Sequence, residues 1–205
     1  NYLLAYGAGS MLSFAIGFAV WRLWRKKSLA ESGMVAMGVS CSNSGYVGYP
    51  ILLQFLGPAA GLGLALTVLI ENLLTIPLAL AIAESGEAGH LSWQRTILES
   101  LKRMAKIPMM QAIVVGLVFS MLGWHLPEVL SKTVNLFAAS TAAIALFVNG
   151  GSLVGMRVIG LIQEVRWIAL GKLVVHPLAV ALMLMVVGPI EPSLKISAVL
   201  LAGMP

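Results

Sequence analysis

Few side chains in this 205-residue sequence could do chemistry, and most of those sit inside apolar runs. There is no aspartate, so a catalytic aspartate pair is excluded. His90, His125 and His176 are scattered and form no metal-ligand spacing with the single Cys41. One cysteine also excludes an internal disulfide; in its apolar run Cys41 reads as a small buried residue rather than a reactive thiol. No glycine-rich loop ends in Lys-Ser or Lys-Thr to cradle a phosphate. Ser44 with His176 is a conceivable serine–histidine pair for a hydrolase, but no motif supports it. The expectation is a protein that binds rather than reacts, with no cofactor, no metal and no enzymatic step.

Four polar groups in apolar surroundings carry that expectation. The most unusual stretch is Ser42-Asn43-Ser44-Gly45-Tyr46-Val47-Gly48-Tyr49-Pro50. Pro50 has no N–H and its ring displaces the carbonyl of Tyr46, while two glycines weaken the helix around it. Freed backbone groups in lipid must be satisfied by protein or water. The stretch is either a simple proline kink or a polar cradle, with the Asn43 amide beside unwound backbone. Glu71 lies about seven residues into another apolar run, roughly 10 Å deep. A charge there costs roughly 2.5–3.5 kcal/mol, so Glu71 anchors a neighbouring helix or supports proton coupling or the site, together with Asn72. Lys172 and His176 are four apart and share one helix face, with Pro177 next. Lys172 either snorkels to the interface or serves the site. Asn149-Gly150-Gly151 offers an amide, or a surface for close helix packing.

The elements that position these groups are membrane helices. Hydrophobic residues make up 59% of the chain and charged residues 10%, with a mean hydropathy of +0.94. A soluble domain carries about 25% charged residues, so this chain cannot cover a water-facing surface. A span needs about 20 apolar residues. Six are expected, at 1–21, 32–55, 64–83, 107–124, 133–156 and 167–190, with part of a seventh from 196. The polar connector 84–106 holds His90. Arg22, Arg25, Lys26, Lys27, Arg95, Lys102, Arg103, Lys106, Arg157 and Arg166 fall on one side of this topology. Lys132 and Lys195 fall on the other. That bias places the first set in the cytoplasm and argues against nucleic acid as the partner of the net charge of +5. With no initiator Met, no cleavable signal pattern and an end inside an apolar stretch, the sequence reads as an internal piece of a longer protein.

The closing residues Ala202-Gly203-Met204-Pro205 echo Gly48-Tyr49-Pro50, each following a span and a short loop. The charge argument gives the two units opposite orientations. Interrupted helices at corresponding positions of inverted halves point to a transporter's central binding site.

The stretch Asn43–Pro50 resembles the Asn-Thr/Ser-Gly-aromatic-x-Gly-x-Pro signature of the auxin efflux carrier family, whose bacterial members include proteins described as malonate transporters. Glu71-Asn72 with Pro77, Leu146-Phe147 with Gly150-Gly151 and Leu153, Lys172 with Pro177, and Ala202–Pro205 resemble further helices of that family. The resemblance implies an all-α inverted-repeat transporter fold with broken crossover helices, like that of sodium/proton antiporters and bile-acid symporters. Residues 1–83 would then belong to the first repeat (helices three to five), 84–106 would be a cytoplasmic connector, and 107–205 would belong to the second repeat (helices six to eight and the start of nine). It implies a substrate site at Asn43, Ser44, Gly45, Gly48, Pro50, Gly203 and Pro205. Glu71, Asn72, Asn149 and Lys172 would act in coupling or site support.

The function expected is secondary transport of a small organic anion, a carboxylate such as malonate or an auxin-like acid, across the plasma membrane (the inner membrane in a bacterium). The expected partners are that anion, membrane lipid, and H+ or Na+ as coupling ion; a homodimer is one assembly open to it. The rival reading is a membrane receptor or structural subunit that binds a ligand without translocating it.

Overall fold

A computed structural model describes residues 1–87, 108–155 and 162–205, with Leu98, Lys102, Ala105 and Lys106 between them. Most of the expected connector 84–106, with His90, Arg95 and Arg103, lies outside the described residues, as does Arg157. Every regular element among the described residues is helical: α1 (Tyr2–Ala19), α2 (Leu29–Ser40), α3 (Tyr49–Leu56), α4 (Ala60–Ile70), α5 (Ile76–Glu87), α6 (Pro108–Met121), α7 (Glu128–Leu153), α8 (Ile162–Leu170), α9 (His176–Val186) and α10 (Pro192–Ala202). Wide, π-type turns extend α1 over Val20–Trp24, precede α3 over Ser44–Gly48, join α4 to α5 over Glu71–Thr75, and join α8 to α9 over Gly171–Val175.

Four continuous helical stretches are long and apolar enough to cross a membrane: Tyr2–Trp24, Ala60–Ala83, Glu128–Ser152 and Ile162–Val186. The segment expected as the second span is two short helices, α2 and α3, around an interruption. The segment expected as the fourth contains α6, of 14 residues. The last long stretch starts at Ile162, so Arg166 lies within a helix and not in the preceding loop.

The chain divides into two compact units, residues 1–100 with 158–205 and residues 101–157. In the first, α1 packs against α9 and α2, α2 against α5, and α10 against α9 and α4. The stretch α8–α9 runs antiparallel to α1. The Asn1 amide donates to the Pro189 carbonyl at one end (3.1 Å), and Arg25 meets Glu164 at the other (3.9 Å). Small residues let these helices approach: at Gly9, a Cβ would stand 2.6 Å from the Cα of Val180. Around that contact Tyr2, Ala5, Tyr6, Val180, Leu184, Ala198 and Ala202 form a buried cluster. A second cluster of Phe14, Ala36 and Ala79 seats α1 and α2 on α5, and a third, Leu52, Ala60 and Leu201, joins α3 and α4 to α10.

The second unit contains α6 and α7, with an exposed Lys132–Glu128 pair at 2.6 Å and apolar residues such as Phe137, Ile144 and Phe147 on the outside. An outward apolar face suits helices surrounded by hydrocarbon.

Candidate functional site

Of the polar groups singled out in the sequence, Asn43, Ser44, Glu71, Lys172 and His176 converge on a break in the helical backbone. Helix α2 stops at Ser40, Cys41 is extended (φ −110°, ψ 133°), and Asn43 has φ −77°, ψ 56° before the chain re-enters a helix at Ser44. The interruption therefore lies at Cys41–Asn43, upstream of the Gly45–Pro50 stretch where unwinding was expected. Pro50 is the second residue of α3, in helical backbone that runs on from the wide turn Ser44–Gly48; its missing N–H withholds the usual bond from the Tyr46 carbonyl four residues back. The turn ahead of the proline is widened, and the backbone is interrupted earlier, at Cys41–Asn43.

The end of α10 touches this break. Helix α10 ends at Ala202, and the Pro205 carbonyl accepts the backbone N–H of Asn43 at 3.1 Å. Gly48 lets the two crossing elements close: a Cβ there would stand 2.6 Å from a Leu201 methyl and 3.3 Å from Met204. Gly203 passes beside Pro177. Within this junction the Asn43 carbonyl accepts from Val47 and Gly48, and no described residue hydrogen-bonds its half-buried side-chain amide. Because the chain just before Ser44 is not helical, the N–H groups of Ser44, Gly45 and Tyr46 open a helix without acceptors in a preceding turn. They add the positive end of the α3 dipole to the Asn43 amide.

Beneath the break lies a buried hydrogen-bonded network. Glu71 is 3% exposed, and its carboxylate accepts the Ser42 backbone N–H (2.8 Å), the Ser44 hydroxyl (2.9 Å) and the Tyr6 hydroxyl (3.2 Å). Lys172, also 3% exposed, donates to the Ser42 hydroxyl at 2.6 Å and contacts Nδ1 of His176 at 2.7 Å. Nε2 of His176 meets the Ser10 hydroxyl at 3.0 Å. Lys172 therefore turns into the protein and does not snorkel. Ser44 and His176 do not pair: the first serves Glu71, the second Lys172 and Ser10. Asn72 turns back to the Val68 carbonyl on its own helix (2.9 Å). Asn149 lies in α7 of the other unit, and its side chain is outside the described residues; space is open where a Cβ would stand at Gly150 and Gly151. Sequence reasoning missed Tyr6, Ser10 and Ser42.

The family described as Membrane transport protein matches residues 1–205, the whole chain. The chain belongs to that family. As a member with several long apolar helices, it is a multi-pass protein of the plasma membrane. A Rhizobium meliloti (strain 1021) protein named "Putative malonate transporter" is 27% identical over 205 residues, which cover 100% of this chain and 64% of that protein. The protein named "Uncharacterized transporter YfdV" of Escherichia coli (strain K12) is 27% identical over 161 residues, covering 77% of this chain and 50% of that relative. The chain thus spans about half to two thirds of the length of these relatives.

Proposed function

We propose that this protein is a secondary transporter for a small organic anion, a carboxylate such as malonate or an auxin-like acid, coupled to H+ or Na+. The observation that carries this reading is the meeting of the break at Cys41–Asn43 with the end of α10, Asn43 N–H on the Pro205 carbonyl, beside an unengaged Asn43 amide. The carboxylate takes that amide and the N–H groups of Ser44 and Gly45. Gly48 and Gly203 allow the close approach, and Pro50 and Pro205 shape the break. Glu71 and Lys172 support the site from below, and Asn72 and Asn149 are assigned to coupling or site support with them. The two halves are inverted repeats, and the anion crosses where they meet. Membrane transport proteins among the relatives, one with malonate in its name, support the substrate class.

An anion entering the membrane loses water at a cost of several kcal/mol unless donors replace it. The test is transport by the full-length protein in proteoliposomes. Asn43→Ala is expected to weaken carboxylate binding about tenfold or more, in line with about 1.5–3 kcal/mol for a hydrogen bond to a charged group. Asn43→Asp is expected to be worse, since it opposes the substrate with like charge. Thermal stability should change little, because the amide holds no other part of the fold. Normal binding and flux in Asn43→Ala would show that the break is only a kink. Binding without saturable flux or counterflow in the unmodified protein would make it a receptor.

A further inference from the structure

Two opposite charges are buried beside the break, yet they do not touch. The direct ion pairs among the described residues are Arg25–Glu164, Lys27–Glu31 and Lys132–Glu128. Glu71 and Lys172 are joined through one residue instead: Ser42 gives its backbone N–H to Glu71 and takes the Lys172 ammonium on its hydroxyl. Ser42 directly precedes Asn43 in the non-helical segment Cys41–Asn43, where no helix fixes the backbone.

The rest of the network holds the two charges in place. An ammonium has only hydrogens to give, so Nδ1 of His176 presents a lone pair to Lys172 and the ring proton resides on Nε2, facing Ser10. Tyr6 and Ser44 give Glu71 two further donors. Each buried charge thus has its counter-charge one serine away, with three donors on Glu71 and two acceptors for Lys172, which lowers the cost of burying the two ions.

We infer that Glu71 and Lys172 form one electrically neutral unit bridged by Ser42, and that Ser42 is a positioning residue that holds Asn43 in the orientation that receives the anion. The inference rests on the proposed role of Asn43 in substrate binding. His176 and Tyr6 orient the two ends of the unit.

The experiment uses the full-length protein with Glu71→Gln, Lys172→Met and the double variant, read by thermal melting and by malonate counterflow in proteoliposomes. Each single variant strands a buried charge, and a fall in melting temperature of roughly 10 °C is expected. The double variant removes both charges and should recover at least half of that fall. Additive losses in the double variant would overturn the neutral unit. If neither single variant yields folded protein, the double variant decides alone: it should fold and melt near the unmodified protein, and failure to fold overturns the inference.

Ser42→Ala keeps the backbone N–H on Glu71 but removes the acceptor of Lys172. It should raise the counterflow KM about tenfold while turnover changes less, with Ser42→Thr restoring KM. A purely structural serine would lower the active fraction and leave KM alone; that result overturns the positioning role. Asn43→Ala separates the two ideas. An unchanged KM there, with rescue in the charge cycle intact, would discard the substrate reading and keep the neutral unit.

Discussion

A hydroxyl buried without a partner costs about 1–3 kcal/mol, and Thr75 is such a case: its oxygen is fully buried and bonds to nothing among the described residues. Ser44, in an equally buried position, gives its hydroxyl to Glu71. Thr75→Val, which keeps the shape and removes the orphan, should leave the melting temperature unchanged or raise it. Ser44→Ala should lower it, because a buried carboxylate loses one of three donors. Thermal unfolding of both variants in the full-length protein checks the contrast, and a marked loss in Thr75→Val would mean that its hydroxyl has a partner. The same physics explains what could be read at this scale. Glu71 and Lys172 stand out in the sequence because a charge in an apolar run demands compensation. Tyr6, Ser10 and Ser42 do not, because serine and tyrosine are unremarked in apolar helices. Their partners, moreover, lie 65, 166 and 29 or more residues away in the chain.

Helix breaks here come with wide turns, and three of the four end two residues before a proline: Ser44–Gly48 before Pro50, Glu71–Thr75 before Pro77, and Gly171–Val175 before Pro177. A proline leaves the carbonyl four residues back without its N–H and crowds it with the ring; widening the turn relieves the crowding. Each widened turn also re-aims the side chains on it, and these three carry Ser44, Glu71 and Lys172. Prolines 50, 77 and 177 were legible as disturbances, but the break at Cys41–Asn43 was not, since no residue type there forbids a helix. The start of α2 was more readable than expected. Ser28-Leu29-Ala30-Glu31 forms a capping box, with Ser28 Oγ accepting the Glu31 N–H and Glu31 accepting the Ser28 N–H, both at 3.1 Å. That signature places the helix start at Leu29, three residues before the expected 32. Packing between elements gives its own test. Gly9→Ala drives a methyl onto the backbone of α9, and overpacking of this kind costs about 1–3 kcal/mol. Gly116→Ala, on α6 with open space at its Cβ, should gain up to about 1 kcal/mol of helix propensity instead. Melting temperatures should move in opposite directions; equal shifts would mean that α1 and α9 are not held at this contact.

The distribution of basic residues governs how the whole molecule sits in the bilayer. Ten of the thirteen lysines and arginines fall on one side of the expected topology and two on the other, and positive loops are retained in the cytoplasm. The packing agrees at one point that the sequence could not show. Arg25 at the end of α1 and Glu164 at the start of α8 meet, with Trp24 and Trp167 edge to face beside them (5.7 Å between ring centroids). Two segments far apart in sequence, assigned to the same side on charge alone, therefore share one end of the first unit. Tryptophans favour the membrane–water interface, so this end is expected to lie at the cytoplasmic surface. The opposite end, where Asn1 meets Pro189 and Gly57–Ala59 turns between α3 and α4, is expected outside. Single cysteines at Lys27→Cys and Gly61→Cys in a Cys41→Ser background test the assignment in the full-length protein. Gly61 accepts the new side chain because nothing stands within 4 Å of its Cβ position. A membrane-impermeant maleimide added to intact cells should label Gly61→Cys and leave Lys27→Cys unmodified until the cells are opened. Labelling of Lys27→Cys from outside would invert the topology, and with it the direction from which the anion first reaches Asn43.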